Sequence, residues 1–273
     1  FPVPETLTYQ PSDSSKAHAL FYSPTNPEYE ISENEKPPLI VLAHGGPTAA
    51  ARRQLQLSIT YWTSRGFGVA DVDYRGSTGY GRSFRNRLRN SWGLADVEDC
   101  VSVAKYLVEQ KKVDKNKLAI KGGSAGGFTV LAALTFHDTF TAGASRYGIA
   151  DLAILAKDTH KFESRYLDRL VGKWPEDEET YKQRSPIHHI EQLSTPMVIL
   201  QGSEDPIVPP NQAHLMAQKL KENDIPHALI EFPDEGHGFR KAPNITKAIE
   251  SELAFFSHIF DFEPFDDLQK ILF

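Results

Sequence analysis

The run Gly122-Gly123-Ser124-Ala125-Gly126-Gly127 constrains this chain more than any other stretch. An apolar, strand-like segment, Lys117-Leu118-Ala119-Ile120-Lys121, leads into it, and a helix-like one, Phe128-Thr129-Val130-Leu131-Ala132-Ala133-Leu134, leads out. A strand that turns at once into a helix strains the residue at the apex, and the turn closes only where the neighbours are very small. Gly122, Gly126 and Gly127 supply that smallness. Ser124 is then presented at a helix N-terminus, where free backbone N–H groups and the helix dipole favour negative charge.

The rest of the chain suits such a unit. Strand-like runs at 39–44, 67–73, 117–121, 142–147, 197–202 and 227–232 alternate with helical patterns near 52–64, 94–110, 128–134, 211–222 and 243–260. Strands that are continuously apolar and alternate with helices imply a mostly parallel central sheet covered by helices on both faces. Residues 1–38 are rich in Pro, Ser and Glu and read as a lead-in with weak strands. The stretch 74–93 reads as a loop. Residues 150–190 interrupt the rhythm with charged and aromatic residues, among them Phe162, Tyr166, Trp174 and Tyr181. They read as a helical insertion over the strand C-terminal ends, where ligands bind in this architecture, or as an excursion packed on its own aromatics. The 273 residues suit one such domain.

Two further segments complete a chemical pattern. Gly202-Ser203-Glu204-Asp205 follows the strand Met197-Val198-Ile199-Leu200, and Gly236-His237-Gly238-Phe239 follows Ala228-Leu229-Ile230-Glu231-Phe232. The order Ser, Asp, His, each at a strand end, is that of the α/β-hydrolase fold. A serine hydroxyl attacks only when a base takes its proton, and an imidazole exchanges protons near neutrality. Ser124 is therefore the expected nucleophile, His237 the base, and Asp205 the group that holds one imidazole tautomer. The oxyanion needs two N–H donors. Ala125, directly after the nucleophile, is one candidate; Gly46, in the turn His44-Gly45-Gly46-Pro47 after Leu39-Ile40-Val41-Leu42-Ala43, is the other. Taken singly, each motif has an ordinary explanation as a turn or a surface loop. Four such coincidences, in order and at strand ends, do not.

Other chemistries fit poorly. A net charge of −6 argues against nucleic acid or an anionic membrane as partner, and no apolar run approaches the roughly 18 residues of a membrane span. The single cysteine, Cys100, falls on the apolar face of a helical pattern and excludes an internal disulfide. Arg82, Arg85, Arg87 and Arg89 read as a solvated face or a subunit contact, and association into a homo-oligomer stays open. No His-Glu-x-x-His or paired Cys-x-x-Cys occurs, so neither metal nor cofactor is expected. No signal peptide is visible, which points to the cytoplasm; Phe1 is not a natural start, which points to processing or to a piece of something longer.

His44-Gly45-Gly46-Pro47, Tyr74-Arg75-Gly76-Ser77-Thr78-Gly79-Tyr80-Gly81, the Ser124 turn, Gly202 to Asp205 and Gly236 to Phe239 together resemble the catalytic domain of the prolyl oligopeptidase family of serine peptidases. The similarity runs over roughly residues 38–260 and points to its acylaminoacyl-peptidase and dipeptidyl-peptidase-like branch. Trp92-Gly93 followed by Asp96 and Asp99 looks like that family's helix start. The resemblance implies hydrolysis of short peptides or acylated amino acids, with Ser124, Asp205 and His237 as the triad and Gly46 and Ala125 as oxyanion donors. A carboxylesterase acting on small esters uses the same triad and is the alternative; a silent interaction domain on the same fold is a third, opposed by the complete triad. Family members usually carry an N-terminal β-propeller, and nothing here could form one. Some carry a polar or cationic residue two positions past the catalytic Asp, where this chain has Ile207 and then Val208. These two, with Phe162 and Tyr166 from the insertion, are the expected walls of an apolar substrate pocket.

Overall fold

A computed structural model describes residues 1–32, 35–158 and 165–269. Among the described residues eight strands run, in chain order, β1 (Glu5–Tyr9), β2 (Ala17–Tyr22), β3 (Leu39–Ala43), β4 (Gly68–Asp73), β5 (Leu118–Gly123), β6 (Ala142–Arg146), β7 (Met197–Gly202) and β8 (His227–Phe232). They form one sheet in the spatial order β1-β2-β4-β3-β5-β6-β7-β8. Every pair from β4 to β8 is parallel; β1 and β2 add to the β4 edge antiparallel. This is the α/β-hydrolase architecture.

Period-two alternation sorts the strand side chains between the two faces. Leu39 and Val41 of β3, Leu118 and Ile120 of β5, and Met197 and Ile199 of β7 join one apolar cluster. It is covered by α3 (Ala95–Glu109), α4 (Ala125–Phe136) and α8 (Asn211–Glu222). Ile40, Ala119, Val198 and Leu200 join the opposite cluster, beneath α1 (Leu57–Thr63) and α9 (Ala242–Ile259). Eleven of the twelve residues of α4 are buried, so it needs no polar face. Helix α3 buries Val97, Cys100, Val101, Ala104 and Leu107 on one side, and Cys100 is a buried free thiol as its position predicts.

Three local expectations change. The lead-in contains two well-formed strands, because an edge strand needs only alternate apolar residues: Leu7 and Tyr9 of β1 are buried while Thr6 and Thr8 face out. The Tyr9 hydroxyl ties this edge to α3 by donating to the Asp99 carbonyl at 2.9 Å. Helix α1 begins at Leu57 rather than near 52, because the Asp73 carboxylate accepts the Ala51 N–H at 2.7 Å and holds that segment as a loop. The stretch read as a loop after β4 contains the short helix α2 (Gly81–Asn86), too brief for periodicity to register. The four arginines around it are exposed, as a solvated face requires.

Residues 150–190 contain α5 (Leu152–Asp158), α6 (Leu167–Leu170) and α7 (Glu178–Arg184). Trp174 and Tyr181 pack edge to face at 5.2 Å, and the Tyr181 hydroxyl donates to the Gly172 carbonyl at 2.7 Å. Leu155, Tyr166 and Leu167 meanwhile reach the cavity at the strand ends. Among the described residues no helix is long and apolar enough to cross a membrane.

Candidate active site

Ser124 stands between β5 and α4 with φ 58° and ψ −122°, a conformation few side-chain-bearing residues adopt. The turn is locked on both sides. The Ser124 N–H donates to the Arg146 carbonyl of β6 at 3.0 Å, and the Ser124 carbonyl accepts from Phe128 of α4 at 3.0 Å. A Cβ on Gly122 would lie 2.7 Å from the Ala43 carbonyl oxygen, and one on Gly126 would collide with the same atom. The elbow is therefore pressed onto the end of β3, the strand that leads to Gly46.

Asp205 and His237 come from loops just past β7 and β8. His237 Nε2 lies 2.8 Å from Ser124 Oγ, and His237 Nδ1 lies 2.8 Å from Asp205 Oδ2. The other Asp205 oxygen accepts the N–H groups of Ile207 and Val208 at 2.9 and 3.0 Å. The Asp205 side chain is wholly buried, whereas that of His237 keeps 23% of its surface exposed. An acceptor with all its partners in place cannot swing away, so Nδ1 carries the proton toward Asp205 and Nε2 is left as a base toward Ser124.

A cavity of about 60 Å³ opens beside Ser124. Its lining includes Gly46 and Ala125, together with Tyr166, Ile207 and Val208, so five of the expected residues meet around the serine. Trp92, Ile149 and Leu155 complete an apolar wall that the motifs did not reveal. Tyr166 does more than line it: its hydroxyl donates to the Gly46 carbonyl at 3.1 Å. Phe162 lies outside the described residues.

The sequence model of the prolyl oligopeptidase family matches residues 53–263. The chain belongs to the prolyl oligopeptidase family. It is 32% identical over 213 residues to a dipeptidyl peptidase family member 6 from Caenorhabditis elegans, covering 76% of this chain and 29% of that protein. It is 31% identical over 220 residues to an acylamino-acid-releasing enzyme from Oryza sativa subsp. japonica, covering 75% and 28%. The solved structure of a puromycin-hydrolyzing peptidase from Mycobacterium tuberculosis superposes with a TM-score of 0.96 at 45% identity, over 98% of this chain and 41% of that one. The chain thus spans less than half the length of the relatives it matches. The family and fold expected from the motifs are borne out.

Three residues carry more of this prolyl oligopeptidase-family site than the motifs disclosed, and two of them lie outside every motif. His44 heads the His-Gly-Gly-Pro turn. Its Nδ1 lies 2.8 Å from the Gly45 carbonyl and its Nε2 lies 2.7 Å from Ser77 Oγ. Burial pushes the His44 pKa down to about 4, so the ring is neutral and carries one proton. A carbonyl can only accept, which assigns that proton to Nδ1; the Ser77 Oγ lies 2.7 Å from both Nε2 and the Tyr74 carbonyl oxygen, to which its hydroxyl donates. The ring is also stacked on Tyr74 at 4.1 Å, and the Tyr74 hydroxyl donates to the His44 carbonyl at 2.8 Å. In a trans peptide the C=O and N–H point oppositely. Holding the Gly45 carbonyl therefore aims the Gly46 N–H the other way. The quoted motif contained His44, but nothing in its spacing announced this task. Glu235 is the second. Its carboxylate accepts the N–H groups of Arg240 and Lys241 at 3.0 and 2.9 Å and the Asn244 side chain at 2.8 Å, clasping the loop that carries His237. Tyr147, against the imidazole, is the third.

Proposed function

We propose that the protein carrying this chain is a serine peptidase that hydrolyses amide bonds of short peptides or acyl-amino acids through an acyl-enzyme. The observation that carries this is the pair of 2.8 Å contacts linking Ser124 to His237 and His237 to Asp205 on a strained strand-to-helix turn. Relatives named as dipeptidyl peptidase, acylamino-acid-releasing enzyme and puromycin-hydrolyzing peptidase support the choice of amide bonds over esters.

In this reading His237 Nε2 removes the Ser124 proton as Oγ attacks the substrate carbonyl carbon. The carbonyl oxygen becomes an oxyanion, received by the N–H groups of Gly46 and Ala125. The C–N bond then breaks, and His237 returns its proton to the departing amine. Water enters the vacated position and loses a proton to His237 while its oxygen attacks the acyl carbon. The acid departs as Ser124 recovers the proton. Asp205 stabilises the imidazolium in both halves without taking the proton. The cavity walls are apolar, and an unpaired charge buried there costs several kcal/mol. Uncharged, apolar P1 side chains are therefore the expected substrates, with shallow discrimination among them, since one methylene is worth only about 1–3 kcal/mol.

A fluorophosphonate probe applied to the intact protein is expected to label Ser124. Ser124→Ala is expected to lose on the order of 10⁶ in kcat with the fold unchanged. A panel of aminoacyl, dipeptidyl and acyl-aminoacyl amides beside matched esters decides the bond. Turnover of esters alone makes the protein a carboxylesterase, and labelling at another serine removes the triad assignment.

A further inference from the structure

We propose that Tyr147 is a positioning residue for the catalytic base, its ring holding His237 in the rotamer that reaches Ser124 and Asp205 together. The proposal rests on the reading of His237 as the base. Two independent observations support it.

The first is the backbone. Tyr147 follows the last residue of β6 with φ 39°, a left-handed conformation rarely adopted by an aromatic residue. Such outliers persist where the surroundings over-determine them, and they gather at functional sites. Here the surroundings are the triad's own supports. The preceding carbonyl, of Arg146, accepts from the Ser124 N–H, while the Tyr147 N–H donates at 2.7 Å to the Leu200 carbonyl of β7, the strand that leads to Asp205. The kink sits between the strand of the nucleophile and the strand of the acid.

The second is where the kink sends the side chain. The Tyr147 ring lies 4.9 Å from the His237 ring, tilted by 59°. Its outer edge passes between the two flanking glycines of the site: a Cβ on Gly123 would lie 3.0 Å from the hydroxyl oxygen, and one on Gly238 would lie 3.9 Å from it. The ring is itself backed by Phe239 at 5.5 Å, edge to face, and Phe239 by Phe232 of β8 at 4.4 Å. The Arg146 guanidinium lies 5.9 Å from the centre of the Phe239 ring and is paired with the buried Glu252 of α9. A chain of contacts thus runs from the core to the imidazole.

His237 needs such a support. Gly236 and Gly238 flank it and offer no side chain for the ring to rest on. Once Ser124 is acylated, Nε2 loses its serine proton donor, and only the Asp205 contact and the packing remain to set the ring plane. Tyr147 supplies packing that does not change as the proton moves. A brace made by ring packing does not use the hydroxyl, which has no hydrogen-bond partner among the described residues.

The test compares Tyr147→Phe, Tyr147→Ala and Tyr147→Gly in the intact protein, with a matched amide substrate and the fluorophosphonate probe. The glycine variant accepts φ 39° without strain and stands in where alanine fails to fold. Tyr147→Phe is expected to keep kcat within about 3-fold. The Ala and Gly variants are expected to lose roughly 30- to 100-fold in kcat with KM within about 3-fold, the range a misplaced catalytic group produces. Probe labelling of Ser124 should slow in parallel. The far-downfield proton NMR signal of the Asp205–His237 hydrogen bond should broaden or vanish, while melting curves show a folded protein. Unchanged kcat in a folded Ala or Gly variant overturns the proposal. So does a change confined to KM, which makes Tyr147 a substrate contact, or a Phe variant as damaged as Ala, which transfers the effect to the hydroxyl. Absence of probe labelling in wild type is a different result and removes the triad reading itself.

Discussion

At the scale of single residues, the site depends on groups that cannot turn. His44 is the clearest case outside the triad. It touches no reacting atom, yet its Nδ1–H on the Gly45 carbonyl decides where the Gly46 N–H points. Loss of one oxyanion donor in a water-poor site costs roughly 10²–10³ in rate. We therefore expect His44→Ala to lower kcat/KM by about that factor while melting within a few degrees of wild type. Steady-state kinetics beside a melting curve checks it; a folded variant within 3-fold of wild type means that Ser77, Tyr74 and Tyr166 hold the turn without the imidazole. The sequence showed His44 as part of a motif and left its role unstated. Its proton is assigned only once the fold turns Nδ1 onto the Gly45 carbonyl and brings Ser77, 33 residues away, to Nε2.

At the scale of elements, the proposed triad is assembled by loops pressed onto one another past parallel strands. The loop after β8 is docked on the loop after β7. Glu204 N–H donates to the Glu235 carbonyl at 2.9 Å, and a Cβ on Gly202 would press against the carbonyls of Glu235 and Gly236. The Glu235 side chain then closes the loop onto the start of α9 through Arg240, Lys241 and Asn244. Removing that acceptor frees three donors and slackens His237. Glu235→Ala is expected to reduce kcat roughly 10- to 100-fold, with faster hydrogen exchange at the Arg240 and Lys241 amides and little change elsewhere. Exchange that is faster without any loss of kcat would show that His237 is held from its other side alone. The strands themselves were legible: β7, α8 and β8 match their predicted ranges, because continuous apolar runs and amphipathic helices announce themselves. The edge strands and the start of α1 were not, because an edge pairing and a side-chain hook from Asp73 are decided by distant partners.

At the scale of the whole molecule, buried ionisable groups set opposing responses to pH. Burial, with Asp73 nearby, raises the Asp71 pKa to about 7. Its unfolded counterpart ionises near 3.9. The folded state is therefore penalised as pH rises from about 4 toward 7, and above 7 the penalty is complete. Asp71→Asn is expected to raise the melting temperature at pH 8, with a stability gain of up to about 4 kcal/mol that shrinks as pH approaches 5. Melting curves across pH 5–8 test this; a gain that is constant with pH would sink the ionisation argument. His44 acts in the other direction. Its folded pKa of about 4 lies below the ordinary imidazole value, so the stability it contributes is present above about pH 6.5 and is lost as pH falls through 4.

The sequence by itself determined the fold class, the family and the identities of Ser124, Asp205 and His237 as the candidate triad. It did so because these rest on local physics: a turn that admits only small residues, strands apolar on both faces, and a fixed order of polar residues at strand ends. Only the tertiary structure decided what holds those groups still. The tilt of Tyr147 against His237, the clasp of Glu235, the proton on His44 and the wall made by Trp92, Ile149 and Leu155 are contacts between residues remote in the chain. Each is worth little until the fold has brought its partners within a few ångströms, and no local pattern of residues records such a distance.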